Sequence, residues 1–271
     1  MFGYGVASWS GSPVSPNEDF AAVAGGTVVV LDGLTARTAS GCKHGVSWYV
    51  RNLAHGILAN SDKGPGIALA CGIEYVSRMH ASSCDLKHPG TPSAAVAILD
   101  LEGAQIEYLV LADVTLVLES QEGIQVITDQ RVSASAAPER AEVDALPIGS
   151  KEKAGALIRM KEAELRERNT EGGYWVASSD PGVVERGLSG TLSTPSLLQA
   201  AVMSDGAARV VDLFGLLDWR ALLDALNADG PMKVLKTVRT QESADPSGLK
   251  WPRNKQSDDA SIVHVSRSYS K

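Results

Sequence analysis

Cysteine is scarce in this chain: 271 residues contain three, Cys42, Cys71 and Cys84, which cannot all pair with one another and include no C-x-x-C ligand pair. A disulfide-built secreted scaffold is therefore excluded, and a reducing cytoplasm is the expected compartment. Aromatic residues make up only 5%, too few to suggest stacking platforms for single-stranded nucleic acid. No apolar run approaches the ~18 residues that a bilayer-spanning helix needs. The start, Met1-Phe2-Gly3-Tyr4-Gly5, lacks the basic and apolar stretches of a signal peptide. Positive charge is also in deficit, with 25 Lys and Arg against 32 Asp and Glu and a net charge of −7, which disfavours binding to nucleic acid or an anionic membrane. A small molecule or another protein is the expected substrate.

What is present is a hydrophobic fraction of 44% with 21% charged residues, enough to bury a sizeable core. No fixed-period repeat or long flexible linker divides the chain, so one domain over 1–271 is expected. Thr27-Val28-Val29-Val30-Leu31 reads as a buried strand ending at Asp32-Gly33. Apolar residues at three- and four-residue intervals predict helices over His44–Asn60 and Ile67–Met79. The period then changes, and Ala94–Leu99, Ile106–Leu111, Thr115–Leu118 and Ile124–Thr128 read as an antiparallel meander. Ser133–Ser150 has no clear period and reads as a loop; Lys151–Arg168 reads as a helix and Tyr174–Ala177 as a strand. The strand Leu197–Met203 runs into Asp205-Gly206, three helices follow over Ala207–Phe214, Trp219–Leu226 and Pro231–Glu242, and a last strand, Ala260–Val265, comes directly after Asp258-Asp259. Meanders flanked by helix pairs predict an α+β fold with two sheets packed face to face and helices outside.

The main chemical signal is a repeated placement of carboxylates at strand ends: Glu18-Asp19, Asp32-Gly33, Asp205-Gly206 and Asp258-Asp259. Each Asp-Gly taken alone is also an ordinary turn. Together, such acids would repel one another unless hard cations neutralise them, and an oxygen-only donor set suits Mg²⁺ or Mn²⁺ rather than zinc.

In order and spacing, these segments resemble the metal-dependent type 2C protein phosphatases, the PPM family, in its bacterial form. Asn17-Glu18-Asp19 is similar to the early acidic motif, and Val29-Val30-Leu31-Asp32-Gly33 to the strand ending in Asp-Gly. Pro92-Ser93-Ala94-Ala95-Val96 resembles the Gly-Ser/Thr-Thr-Ala strand, and Leu111-Ala112-Asp113-Val114-Thr115 stands where Gly-Asp-Ser-Arg is usual. Met203-Ser204-Asp205-Gly206 and Asp258-Asp259-Ala260-Ser261 are similar to the two late motifs.

The resemblance implies a four-layer α-β-β-α sandwich of two antiparallel sheets, with two Mg²⁺ or Mn²⁺ ions in a cleft at one edge. Glu18, Asp19, Asp32, the Gly33 carbonyl, Asp113, Asp205 and Asp258 would form the metal-binding set, with Asp32 bridging and Asp32 and Asp205 central to catalysis. The implied activity is hydrolysis of phosphoserine, phosphothreonine or a small phosphate monoester by a metal-activated water, in a monomer whose partner is a phosphorylated protein or phosphate ester.

Three departures bear on activity. Val14 stands where the family has the Arg that holds the substrate phosphate, and Leu34 where eukaryotic members commonly have a histidine. Arg209 stands where an additional Asp often helps bind a third ion, which argues for two ions. Arg37 and Arg209 are the candidate substitutes for the phosphate clamp, since guanidinium matches phosphate bidentately; the alternative for each is a structural ion pair. A non-catalytic relative using the cleft as a binding module is the second functional class.

Elsewhere, Cys42-Lys43-His44 offers a thiol–imidazole nucleophile or a metal pair, and Cys84 with His88 part of a zinc site. On a helix, the first spacing would not aim both groups together, and the second lacks two further ligands, so packing is expected for both. Lys250–Lys255 reads either as an anion-attracting rim or as a solvated loop.

Overall fold

A computed structural model describes residues 1–267. The chain opens with β1 (Phe2–Trp9), β2 (Asp19–Ala24) and β3 (Thr27–Gly33), followed by α1 (Val46–Leu58) and α2 (Pro65–His80). A meander follows: β4 (Ala94–Asp100), β5 (Gln105–Leu111), β6 (Thr115–Ser120) and β7 (Gly123–Ile127). Next come α3 (Arg131–Ala134), α4 (Ala137–Asp144) and α5 (Lys151–Glu167), then β8 (Leu188–Ser193) and β9 (Leu197–Met203). The helices α6 (Asp205–Asp212), α7 (Trp219–Asp229) and α8 (Pro231–Ala244) lead to β10 (Ala260–Arg267).

Two antiparallel five-stranded sheets result, in the orders β1-β10-β9-β6-β7 and β2-β3-β4-β5-β8. The side-chain alternation of a strand, with both faces covered, explains why Val28–Leu31 of β3 are all apolar. Val28 and Val30 face the other sheet, where they meet Leu116, Val202, Val263 and Val265. Val29 and Leu31 face the opposite way, against Tyr49, Leu53 and Ile57 of α1 and Leu69 and Ile73 of α2. On the second sheet, Val117, Ala201 and Ile262 turn outward onto Leu222, Leu226, Leu235 and Val238 of α7 and α8. Helices therefore cover both outer faces, and the fold is the expected four-layer α-β-β-α sandwich. Each fully buried Val, Leu or Ile contributes roughly 1.5–3 kcal/mol.

Several elements differ from the sequence expectation. β1, β2 and β8 were not anticipated. β1 interleaves Gly3 and Gly5 with exposed Tyr4 and Val6, while β8 is a short, largely exposed edge strand. Tyr174–Ala177 forms only two isolated bridges, Ala94 to Ala177 and Arg168 to Tyr174, instead of a strand. Ser133–Ser150 is largely helical rather than a loop: α3 and α4 fold there, and Val143 and Ala136 pack with Ala156, Leu157 and Met160 of α5 in a small separate core. Among the described residues, no helix is long and apolar enough to cross a membrane.

Candidate metal centre

Antiparallel register places the first acids side by side. Asp19 is the partner of Asp32 across β2 and β3, and Asp32 in turn pairs with Ala95 of β4. On the other sheet, Met203 at the end of β9 is the partner of both Thr115 and Ile262, so Asp113, Asp205 and Asp258 emerge at the same sandwich edge. The two sheets are joined there: Ser204 Oγ donates to Asp19 Oδ2 at 2.7 Å, and the Asp205 N–H donates to Asp32 Oδ2 at 3.3 Å. Ser261 N–H donates to Ser204 Oγ at 2.9 Å, which completes the seam.

Glycine is required at two of these positions for space. A Cβ on Gly33 would lie 2.4 Å from Val46 Cγ1 and 2.6 Å from the Glu18 carbonyl, and one on Gly206 would lie 2.0 Å from the Asp259 carbonyl. Asp259 itself is a clamp for the loop before β2, since its two carboxylate oxygens accept the Gly11 and Glu18 N–H groups, each at 2.7 Å. Glu18 is also held by Thr35, whose hydroxyl donates to Oε2 at 2.6 Å. Ala112, just before Asp113, adopts φ 68°, a left-handed conformation costing roughly 1–2 kcal/mol for a non-glycine residue.

The acids oppose one another electrostatically. Burial, reinforced by Asp258 and Asp205, pushes the Asp19 carboxyl up to about 8. Burial with Asp205 pushes Asp113 up to about 7, and burial with Asp205, Asp19 and Asp258 raises Asp32 well above the carboxylate range. Asp205 and Glu18 are raised chiefly by burial as well. Among the described residues, no ion pair joins Asp19, Asp32, Asp113 or Asp205 to a side-chain cation. A largely desolvated, oxygen-only set without enough positive charge suits a hard divalent cation, which would hold every member ionised.

Asp258 is the exception. Burial pushes it up, but Arg209 and Lys255 outweigh that effect and hold it below its usual range. Arg209 Nη2 donates to Asp258 Oδ2 at 2.7 Å and Nη1 to Glu242 Oε1 at 2.8 Å. Lys255 Nζ lies 2.5 Å from Asp258 Oδ1 and donates to Thr35 Oγ1 at 3.3 Å. Arg209 is 8% exposed and Glu242 fully buried, so both forks of this guanidinium are occupied by carboxylates.

The cleft bounded by Asp32, Asp113, Asp205 and Asp258 has a volume of about 140 Å³, and its other wall is basic: Arg37, Arg140, Lys161 and Lys255. Arg140 and Lys161 share Glu164 of α5, at 2.9 and 3.3 Å. Among the described residues Arg37 makes no ion pair, although Asp258, Glu164 and Glu18 oppose the burial that disfavours its charge. Tyr174 also lines the cleft, and its buried hydroxyl has no hydrogen-bond partner among the described residues. Val14, in contrast, is 90% exposed. The Lys250–Lys255 stretch divides: Arg253 is buried against Asp245 at 3.0 Å, Lys250 lies 3.9 Å from the Trp251 ring centroid, and Lys255 enters the cleft.

Sequence reasoning did not single out Thr35, Arg140, Lys161, Glu164 or Tyr174. No local pattern marks them: Thr35 follows β3, Arg140 is on α4, Lys161 and Glu164 are on α5 and Tyr174 lies beyond it, and tertiary packing alone brings them together.

A face-to-face antiparallel sandwich with helices outside and a carboxylate cleft at one edge is the architecture of the PPM protein phosphatases, and this chain has that fold. The PPM Ser-Thr phosphatase MsPP from Mycobacterium smegmatis, solved with cacodylate, superposes with a TM-score of 0.54 at 16% identity, over 98% of both chains. The serine/threonine phosphatase Stp1 from Staphylococcus aureus gives 0.59 at 11% identity, over 99% of this chain and 96% of that one. The catalytic domain of the phosphatase PstP, solved with two manganese ions, gives 0.56 at 12% identity, over 98% and 97%. No protein-family model matches the sequence, and no curated protein matches it.

Proposed function

We propose that the protein is a divalent-cation-dependent phosphatase that hydrolyses phosphoserine, phosphothreonine or a small phosphate monoester. The observation that carries this reading is the close set of Asp19, Asp32, Asp113 and Asp205, the first buried and the others half-buried, which makes no ion pair among the described residues and sits opposite a basic wall. The manganese in the PstP neighbour supports the choice of ion. Asp32, Asp205 and Asp258 would hold the ions together with Glu18 and the Gly33 carbonyl, with Asp113 and Asp19 completing the cage. When bound, Mg²⁺ or Mn²⁺ supplies Lewis-acid chemistry, lowering the pKa of water and stabilising charge on a transferring phosphoryl group.

The chain's own groups do the rest. Arg37, in no ion pair among the described residues, is assigned to the phosphate, a role that Arg209 is too occupied to fill. The Tyr174 hydroxyl donates to a phosphate oxygen, which would satisfy an otherwise orphaned polar atom. Asp32 is oriented by the Asp205 N–H, and Glu18 by Thr35. Leu34 offers no proton, so the leaving group takes its proton from solvent.

Lys255 favours a second reading. An ammonium paired with Asp258 neutralises part of the cage with protein charge, as a binding module that has given up turnover would. Hydrolysis of an aryl phosphate and of a phosphothreonine peptide, with Mn²⁺ and with chelator, decides between them. Metal-dependent turnover that Asp32→Asn abolishes and Arg37→Ala slows through KM supports the phosphatase. Equal, residual rates in every sample leave the binding module.

A further inference from the structure

Four soft donors converge at the end of the α1–α2 hairpin where α1 begins and α2 ends, and His44 lines a cavity that also reaches Glu18, Thr35 and Lys255. Cys42 and His44 lie in the loop between β3 and α1, His80 is the last residue of α2, and Cys84 follows it. Cys42 Sγ is 3.6 Å from His44 Nδ1 and 3.4 Å from His80 Nδ1; Cys84 Sγ is 3.2 Å from Cys42 Sγ and 3.3 Å from His44 Nδ1. All four donor atoms lie within 4.8 Å of one another. In a tetrahedral zinc site with Zn–S near 2.3 Å and Zn–N near 2.0–2.1 Å, neighbouring donors stand roughly 3.3–3.8 Å apart. Four of the six donor pairs thus stand at or close to the spacing around a single tetrahedral ion.

From these distances we infer a structural Cys₂His₂ zinc site formed by Cys42, His44, His80 and Cys84. The sequence expectation was otherwise for two physical reasons. Cys42 and His44 were placed on a helix, where residues two apart diverge, but α1 begins only at Val46 and the pair lies in a loop with Gly41 and Gly45 at positive φ. Cys84 was paired with His88, whose Nδ1 instead accepts the Gly90 N–H at 3.0 Å.

The surroundings are those of a closed site. His44 stacks on Trp48 with centroids 4.2 Å apart, and Trp48 lies 5.2 Å from His80, so one indole backs both imidazoles. His80 is 2% exposed. The Asp85 N–H donates to the Gly41 carbonyl at 2.9 Å, which ties the two ligand-bearing loops together beside the donors. Four protein donors leave no open position, which suits a structural ion rather than a catalytic one. The site would staple the end of α2 to the segment following β3, the same segment that carries Thr35 and Arg37 into the cleft. Softness separates the two centres: thiolate and imidazole select zinc, and the carboxylates select magnesium or manganese.

The test is metal analysis together with cobalt substitution on the full chain. Protein produced with zinc and dialysed against Mg²⁺ is expected to retain one zinc per chain. Co²⁺ added to zinc-stripped, reduced protein should give the intense visible bands of tetrahedral cobalt and a thiolate-to-cobalt charge-transfer band. Both signals should vanish in Cys42→Ser and Cys84→Ser and persist in Cys71→Ser. Cobalt in the oxygen-only cleft would give neither signal, so Asp32→Asn should leave both intact, and failure of the phosphatase reading would not affect the outcome. If the serine variants do not fold, the wild-type cobalt spectrum alone decides. Zinc-free protein with no charge-transfer band, or a Cys42–Cys84 disulfide that persists in place of metal under reducing conditions, would overturn the site.

Discussion

Replacing Arg209 with methionine keeps most of the side-chain volume and removes the charge. The residue bridges buried Glu242 at 2.8 Å and half-buried Asp258 at 2.7 Å. Removing one partner of a buried pair costs about 3–5 kcal/mol, because the other charge is left desolvated and unpaired. Each acid keeps one further cation here: Arg239 lies 2.7 Å from Glu242, and Lys255 lies 2.5 Å from Asp258. The lower end, about 3 kcal/mol, is therefore expected. With a urea dependence of about 3 kcal/mol per molar, the unfolding midpoint should fall by about 1 M. The measurement belongs in chelator, so that metal binding by Asp258 does not mask the loss. A phosphate clamp behaves differently: its removal raises KM and leaves the midpoint in place. A midpoint shift below about 0.3 M would place Arg209 among weakly coupled surface pairs and refute the structural reading.

Other outcomes follow from the same electrostatics. Tyr174→Phe removes an orphaned buried hydroxyl, so stability should hold or rise by up to about 1 kcal/mol while phosphate-ester turnover falls; unchanged kinetics would remove Tyr174 from the site. For Asp19, at about 8, and Asp113, at about 7, the folded state binds protons more tightly than the unfolded chain, so their contribution is complete in acid and lost as pH rises through those values. Chelated protein should accordingly unfold at lower urea at pH 8 than at pH 5.5, and Mn²⁺ should reverse the loss at pH 8; a midpoint that climbs with pH in chelator contradicts the assignment. Asp259→Ala leaves the Gly11 and Glu18 N–H groups without acceptors, at about 1–3 kcal/mol each, and should weaken Mn²⁺ binding by loosening Glu18, as calorimetry would report.

The fold was legible where a strand is buried on both faces. Val28–Leu31 of β3 form an unbroken apolar run because one side meets the other sheet and the other meets helices. Likewise, β10 turns Val263 and Val265 to one sheet face and Ala260 and Ile262 to the helices, with Ser261 and His264 interspersed. β1, β2 and β8 were not legible: glycine, alanine and serine carry little strand preference, and edge strands with exposed side chains need no apolar alternation. The segment 133–150 looked structureless because α3 and α4 bury few residues, mostly against α5.

Within the candidate site, Glu18, Asp32, Asp205 and Asp258 were legible because each sits in a short local motif tied to a strand end. Arg140, Lys161, Glu164 and Tyr174 had no such marker, since tertiary packing alone assembles them. The Cys and His ligands fall between these cases. Each half, Cys42-x-His44 and His80-x₃-Cys84, is visible but insufficient, and the α1–α2 hairpin that joins the halves lies between them.

The claim on which the functional reading rests is that the clustered carboxylates form a divalent-cation cage built around Asp32. Calorimetric titration of Mn²⁺ into the wild type and Asp32→Asn tests it most directly, because asparagine keeps an acceptor for the Asp205 N–H and removes only the charge. The account predicts saturable binding of two ions to the wild type and loss of that binding in the variant. Indistinguishable isotherms, or no binding by the wild type at neutral pH, would contradict it.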